Sequence, residues 1–284
     1  MKINWYPGHM AKTKRVMLDD LKNVDIVCEI VDARIPKSSR NPDLFQITKN
    51  KKRLIVLNRA DQADKNKTDL WEKHFKSKGY FVMTADSQKG TGVQNFKSVL
   101  KSAMAKEIER NNERGMTGKA IRVMVVGVPN VGKSSFINRV LKKKSAVAAD
   151  RPGVTRQRQW FSLGEGIDLM DTPGMFPSRI DDEKTGEMLA FTGSVKDEIL
   201  DVEELACEFI KTLDSIDFSV LTKRYGIEKI EGEIPYDTLT RMAKARGFLL
   251  SGREYDTERM AKVLMDEFRS GRLGNITLEL PYEE

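Results

Sequence analysis

The chain has 284 residues, enough for one or two domains that each bury an adequate core. Charged residues make up 32% of it and the formal net charge is +7, a basic balance that favours polyanionic partners. No apolar run approaches the roughly 18 residues of a membrane-crossing helix, the N-terminus carries no signal-peptide pattern, and Cys28 and Cys207 read as buried thiols, with neither a disulfide framework nor a zinc set. Membrane-spanning and disulfide-stapled classes are thereby excluded, and a soluble, cytoplasmic chain that acts as a monomer, away from membranes, is expected.

In chain order, the first element is WYPGHM (5–10), a Pro-Gly turn that carries His9 among aromatic neighbours. Helical spacing follows over 11–21, then an apolar strand around Cys28 and the segment DARIPKSSRNP (32–42). RLIVLN (53–58) is a second apolar strand, and it runs into Asn58, Arg59, Ala60 and Asp61. An aspartate carboxylate accepts two hydrogen bonds from guanine N1–H and the 2-amino group. Adenine offers nothing equivalent, so Asp61 is expected to select guanine. Asn58 is placed to bridge between base and phosphate loop. Arg59 stands where a lysine is usual, and its flat guanidinium can still cover a purine face. The strand YFVM (80–83) leads to Thr84, Ala85, Asp86 and Ser87. The last three are candidates for a turn whose backbone N–H meets guanine O6. An ordinary turn capped by Asp86 or Ser87 fits the same residues. The highly charged stretch 105–119, with Gly115 and Gly118, reads as a flexible connection.

IRVMVVG (121–127) has the apolar, β-branched run of a buried strand, and GVPNVGKS (127–134) fits G-x-x-x-x-G-K-[ST]. Backbone N–H groups that curl round an anion leave no room for Cβ atoms, which explains Gly127 and Gly132. Asn130, Val131, Gly132, Lys133, Ser134 and Ser135 form the cradle and open a helix whose N-terminus favours phosphate. Lys133 is expected to reach the β- and γ-phosphates and the Ser134 hydroxyl to hold Mg²⁺. Phe136, Ile137, Val140 and Leu141 carry the helical spacing. In RPGVTRQRQW (151–160), Thr155 is the candidate switch threonine that completes the Mg²⁺ shell, and a solvated basic loop is the other reading of the same segment. GIDLMDTPG (166–174) is a further strand, with Asp171 placed for Mg²⁺ and Gly174 for a backbone N–H at the γ-phosphate. The residues that follow are Met175 and Phe176. Neither can orient water as the glutamine of Ras-like enzymes does. His9 is the candidate for that task; a histidine lying on the surface of its turn is the other reading.

After Pro177 the pattern becomes helical, over 183–193, 197–213, 218–225, 236–249 and 256–271, with Pro235 before one start and Gly226, Gly247 and Gly274 at ends. The charge divides as well: residues 1–182 carry a net +15 and residues 183–284 a net −8. Lys12, Lys14 and Arg15, the run 49–53, and Lys142–Lys144 with Arg151, Arg156 and Arg158 are candidate contacts to phosphate backbones or else solvated surface. The cations of 241–253 offer the same two readings. The resulting expectation is an α/β P-loop GTPase domain over 1–178, with a mainly parallel sheet flanked by helices, followed by a small all-α bundle over 179–284.

The order along the chain is base reader, base-contacting turn, phosphate loop, switch threonine and Asp-x-x-Gly, so the two halves of the usual sequence are exchanged. This order, with WYPGHMAK, DARIPKSSRNP, NRAD, GVPNVGKS, PGVT and DTPG, resembles the circularly permuted GTPases. More narrowly, it is similar to the YlqF-type family of ribosome biogenesis GTPases A, essentially over the whole chain. The resemblance implies a bacterial GTPase that binds the immature large ribosomal subunit and its rRNA, assists late assembly and leaves after hydrolysis. It implies slow turnover alone with stimulation by the ribosome, which the absent glutamine suits, and K⁺ stimulation through Asn130. A GTPase acting on another RNA or a tRNA-modifying complex is the alternative. A binding protein with structural GTP is a third, which Thr155 and Asp171–Gly174 argue against.

Overall fold

The computed structural model describes residues 10–141, 159–177, 182–195, 198, 200–252 and 254–282. The strands β1 (Ile26–Asp32), β2 (Lys52–Asn58), β3 (Phe81–Ala85), β4 (Ile121–Val126), β5 (Gln159–Ser162) and β6 (Ile167–Asp171) form one sheet in the order β3-β2-β1-β4-β6-β5. All neighbours pair in parallel except β5, which lies antiparallel at the edge beside β6. Asp32 pairs with Asn58, Asn58 with Ala85, and Val125 with Asp171, so the carboxyl ends of the parallel strands finish along one edge.

The continuous apolar runs have a physical reason: helices cover both faces of the sheet. One face packs Val27, Val31, Ile55, Leu57, Met124, Val126 and Met170 against α1 (Met10–Leu21), α2 (Pro42–Ile47) and α3 (Lys65–Ser77). The other packs Ile26, Cys28, Ile30, Leu54, Val56, Val123, Val125 and Leu169 against α4 (Phe96–Ala103) and α6 (Lys133–Leu141). Between α4 and β4 lies α5 (Ala105–Glu113), where the sequence predicted a flexible connection. It buries none of its residues, so no apolar periodicity announced it. It is fastened by Ile108, partly buried against the core, and by Glu107, which pairs with Lys52 at 2.7 Å.

The C-terminal part is helical: α7 (Glu183–Phe191), α8 (Val202–Ile216), α9 (Ser219–Tyr225), α10 (Pro235–Ala245) and α11 (Thr257–Arg269). Asp182, Asp201 and Asp256 accept backbone N–H bonds at the starts of α7, α8 and α11. The helix expected from 197 begins at Val202 because Asp201 caps it there. Phe191, Phe209 and Phe268 stack through the middle, with ring centroids 5.1 and 4.6 Å from Phe209.

One connection gave no sequence signal. Beyond α11 the chain returns to the sheet: Ile276 N–H donates to Gln62 O at 2.9 Å and Leu278 N–H to Arg34 O at 2.8 Å. Trp71 Nε1 donates to Glu279 O at 3.0 Å, and the Glu279 carboxylate accepts from Lys37 N at 2.7 Å and from Ser38. Burial pushes the Glu279 carboxyl above its ordinary range, against the opposing pull of these donors.

Phe209 is fully buried between two aromatic rings. Phe209→Ala is expected to cost about 3–5 kcal/mol of stability, read by urea unfolding followed by circular dichroism.

Candidate functional site

The carboxyl edge of the sheet collects the motifs. The loop after β4 begins at Gly127, with φ 153°, where an added Cβ would lie 2.6 Å from Ile30 O. Gly132 has φ 93°, and a Cβ on it would come within 2.4 Å of Asn58 Nδ2. The glycines are thus required by the packing of neighbouring strands as well as by any ligand. Lys133 opens α6, and its Nζ donates to the carbonyls of Gly127 at 3.1 Å and Val128 at 2.7 Å. Burial lowers the Lys133 amine to about 8, while the nearby Asp171 carboxylate pulls the other way.

Asn58, at the end of β2, ties two motifs together. Its Nδ2 donates to Val131 O at 2.8 Å, and its Oδ1 accepts from Ser87 Oγ at 2.6 Å and Ser87 N at 3.2 Å. Ala60 N–H donates to Ala85 O at 3.1 Å. Asp86 is buried, and its Oδ1 accepts from Gln88 N and Lys89 N at 2.8 and 2.9 Å, a local turn that holds the backbone of 86–89 in place. Neither Asp86 nor Ser87 caps a helix, since the next helical turn begins at Val93. Asp61 keeps part of its carboxylate in solvent, 4.0 Å from Lys89 Nζ. Arg59 has φ 59° and donates from Nη2 to Asn130 O at 3.1 Å. The residue that replaces the usual lysine therefore lies along the phosphate loop.

Asp171 is buried at the end of β6, close enough to Lys133 to perturb it. Gly174 lies against Pro129, where a Cβ would come within 3.0 Å of the proline backbone. Met175 is buried, its N–H donates to Gly127 O at 3.2 Å, and its O accepts from Asn41 Nδ2 at 2.9 Å. His9, Thr155, Lys142–Lys144, Arg151, Arg156 and Arg158 lie outside the described residues. In the basic run 49–53, three cations are engaged inside the protein. Lys51 bonds Val24 O, Lys52 bonds Ala103 O and Glu107, and Arg53 bonds Leu44 O and Thr48. Lys49 stays exposed. Asn41 and the pairing of Asn58 with Ser87 were not foreseen in the sequence. Asn41 sits in DARIPKSSRNP, a segment singled out there without a role.

A parallel sheet whose carboxyl edge joins a Gly-rich phosphate loop to an Asn-x-x-Asp strand end, in exchanged chain order, defines a circularly permuted P-loop GTPase. Residues 122–230 match the family described as 50S ribosome-binding GTPase. The chain is 38% identical over 283 residues to ribosome biogenesis GTPase A of Bacillus cereus, covering 100% of this chain and 95% of that protein. It is 39% identical over 281 residues to that of Bacillus licheniformis, covering 99% of each. The GNP-bound crystal structure of YlqF from T. maritima superposes with a TM-score of 0.65 at 28% identity, over 96% of this chain and 100% of that one. The GDP-bound structure of the same protein gives 0.66, over 95% and 100%. The chain belongs to the ribosome biogenesis GTPase A family. It binds guanine nucleotide, hydrolyses GTP and serves ribosome biogenesis. Among the described residues no helix is long and apolar enough to cross a membrane.

If Lys133 meets nucleotide phosphates, their oxygens would favour its charged form, and binding above pH 8 would take up a proton that the free protein lacks. Affinity for GDP is expected to be level below pH 8 and to fall by up to about tenfold per pH unit above it, as titrations of a fluorescent GDP analogue between pH 7 and 9 would register. Lys133→Arg should flatten that slope.

Proposed function

We propose that the chain is a GTP-driven assembly factor that binds the immature large ribosomal subunit, promotes its late maturation and departs after hydrolysis. The observation that carries this reading is the match of residues 122–230 to the 50S ribosome-binding GTPase family. The net +15 over residues 1–182 supports it, because rRNA presents a phosphate backbone. In this reading the GTPase part spans 1–178, the helical part 179–284, and the chain acts as a cytoplasmic monomer.

Asn58, Arg59, Ala60 and Asp61 read the guanine with Ala85, Asp86 and Ser87, and Asn130 to Ser135 with Gly174 hold the phosphates. The bridge from Asn58 to Val131 and Ser87 supports this assignment, since it brings the base-reading turns against the phosphate loop. The residues present also fit Mg²⁺. Asp171 is a buried carboxylate at the strand end nearest Lys133, and Ser134 opens α6. No group of three or more His, Cys, Asp or Glu residues among the described ones could hold a metal unaided. This suits an ion that takes most of its ligands from phosphate oxygens and water, with Ser134, Asp171 and Thr155 as the protein's share. Bound there, Mg²⁺ would neutralise charge on the β- and γ-phosphates. Lys133 supplies a second positive charge at the same oxygens. K⁺ stimulation through Asn130 completes the cofactor proposal.

Met175 donates its N–H to Gly127 O and buries an apolar side chain, so this position offers no polar side chain to orient water. Hydrolysis is therefore slow alone, and the water is oriented by His9 when the ribosome is bound. His9→Ala should lower GTP turnover on large subunits by about 10²-fold with nucleotide affinity kept; single-turnover hydrolysis reads this, and unchanged turnover ends the assignment.

Co-sedimentation tests the partner. The protein with a non-hydrolysable GTP analogue should pellet with large subunits, release with GDP, and lose association steeply between about 50 and 200 mM salt. Equal binding to small subunits or to tRNA would point to another RNA.

A further inference from the structure

The phosphate loop and the base-reading turn share a support that neither motif contains. Among the described residues, three that are not glycine have positive φ: Arg59, Asn130 and Glu165. Two of the three touch each other, through Arg59 Nη2 to Asn130 O at 3.1 Å. Asparagine tolerates left-handed backbone, but at Arg59 it is unfavourable and persists only where the surroundings impose it. Both residues are held by the C-terminal helices. Arg59 Nη1 donates to Arg269 O at the end of α11, at 3.3 Å. Asn130 Nδ2 donates to Gly193 O, just past α7, at 2.6 Å.

These two anchor points are themselves joined. Arg269 donates from Nε to Phe191 O at 3.1 Å and from Nη2 to Ala190 O at 2.9 Å, satisfying the last carbonyls of α7. From the sheet side, the fully buried Arg34 donates from Nη1 to Phe268 O at 3.2 Å and stands 4.9 Å over the Phe268 ring. The Asp32 carboxylate grips Arg34 with bonds of 2.9 and 2.7 Å and lies 3.6 Å from Arg59 Nε. Two arginines thus converge on the negative end of α11, where cations are favoured. A closed ring runs from Asn130 to Arg59, to the end of α11, to Arg269, to the end of α7, and back to Asn130. A lysine at position 59 has one compact ammonium and cannot spread over Asn130, Arg269 and Asp32 as the guanidinium fork does.

We infer that Arg59 and Arg269 are positioning residues that couple guanine-nucleotide occupancy to docking of α7 and α11. The inference rests on reading 58–61 and 127–135 as the nucleotide site. The ring sets the backbone of Asn130 within the phosphate loop, so a ligand that requires this loop shape tightens the helical contacts. By linkage, the helical contacts raise nucleotide affinity by the same factor. The departure from the usual lysine at position 59 belongs to this device, and base selection stays with Asp61.

Hydrogen exchange with and without GDP, together with titration of a fluorescent GDP analogue, tests it on the full chain. In the unaltered protein, GDP should slow exchange over 186–194 and 262–270. Arg269→Ala should raise the Kd about tenfold, leave the preference for GDP over ADP intact and remove the protection of 186–194. Arg269→Lys should restore part of both. Arg59→Lys leaves the cap on α7 in place and should weaken binding to a similar extent; combined with Arg269→Ala it should add little, because both act through one ring. It also carries the test should circular dichroism show Arg269→Ala to be unfolded. Kd values within twofold of the unaltered protein for the folded variants, or undiminished protection, would overturn the inference. Failure of the unaltered chain to bind the GDP analogue would instead refute the site reading on which it rests.

Discussion

The side-chain amide of Asn58 is the interaction on which the site depends. It stands at the end of β2, donates to the phosphate loop at Val131 and accepts from Ser87 at the end of β3. Parallel register makes this possible, because Asp32, Asn58 and Ala85 reach the same edge of the sheet together. Gly132 completes the constraint, since any Cβ there would collide with the amide. The exchanged chain order is harmless for the same reason. The amide senses where strands end in space, and β4 lies beside β1 whichever is made first. Ligand sites at the carboxyl edge of such sheets follow from strand order, not from sequence order.

Buried charge shapes the rest of this edge. Asp32 loses hydration on burial, which would raise its carboxyl, but Arg34 and Arg59 outweigh that cost and hold it below the ordinary range. Lys133 has less help. Burial dominates, Asp171 offsets only part of it, and the amine is left close to neutral pH with two loop carbonyls as its partners. In the proposed site a phosphate group would add a counter-charge, and the desolvation that weakens the lysine's charge would then favour a strongly anionic ligand. The C-terminal helices enter this arrangement through their carbonyl ends. They therefore contribute to the electrostatic surroundings of this edge as well as to the buried core.

Much of the fold was legible because its elements have local causes. The strands around Cys28 and over 53–58, 80–83, 121–127 and 166–171 showed as predominantly apolar runs, which is what burial on both faces favours. The C-terminal helices showed through spacing, Pro235 and their glycine ends. The base-reading and phosphate-loop motifs were visible from residue type and spacing alone. Helices α2, α3 and α4 and the edge strand β5 were not read from the sequence, and three further features were hidden. Helix α5 fully buries no residue and sets only Ile108 partly against the core, so its charge pattern resembled a linker. The return of 275–279 to the sheet rests on backbone bonds and on a buried glutamate, and neither leaves periodicity in the sequence. The run 49–53 looked like a surface cluster, yet Lys51, Lys52 and Arg53 reach carbonyls and carboxylates of residues distant in the chain.

By itself, the sequence determined the ligand class, the α/β and helical parts and their exchanged order, because phosphate cradles, base-reading carboxylates and buried strands each need particular residues at short, fixed spacings. Only the tertiary structure decided what those residues do for one another. Arg59 as a bridge to α11, Asn41 as a clasp on Met175, and Asn130 as a contact to the turn after α7 all join positions far apart in the chain. Such contacts depend on how strand ends and helix ends converge, and that convergence is a property of packing that no local spacing records.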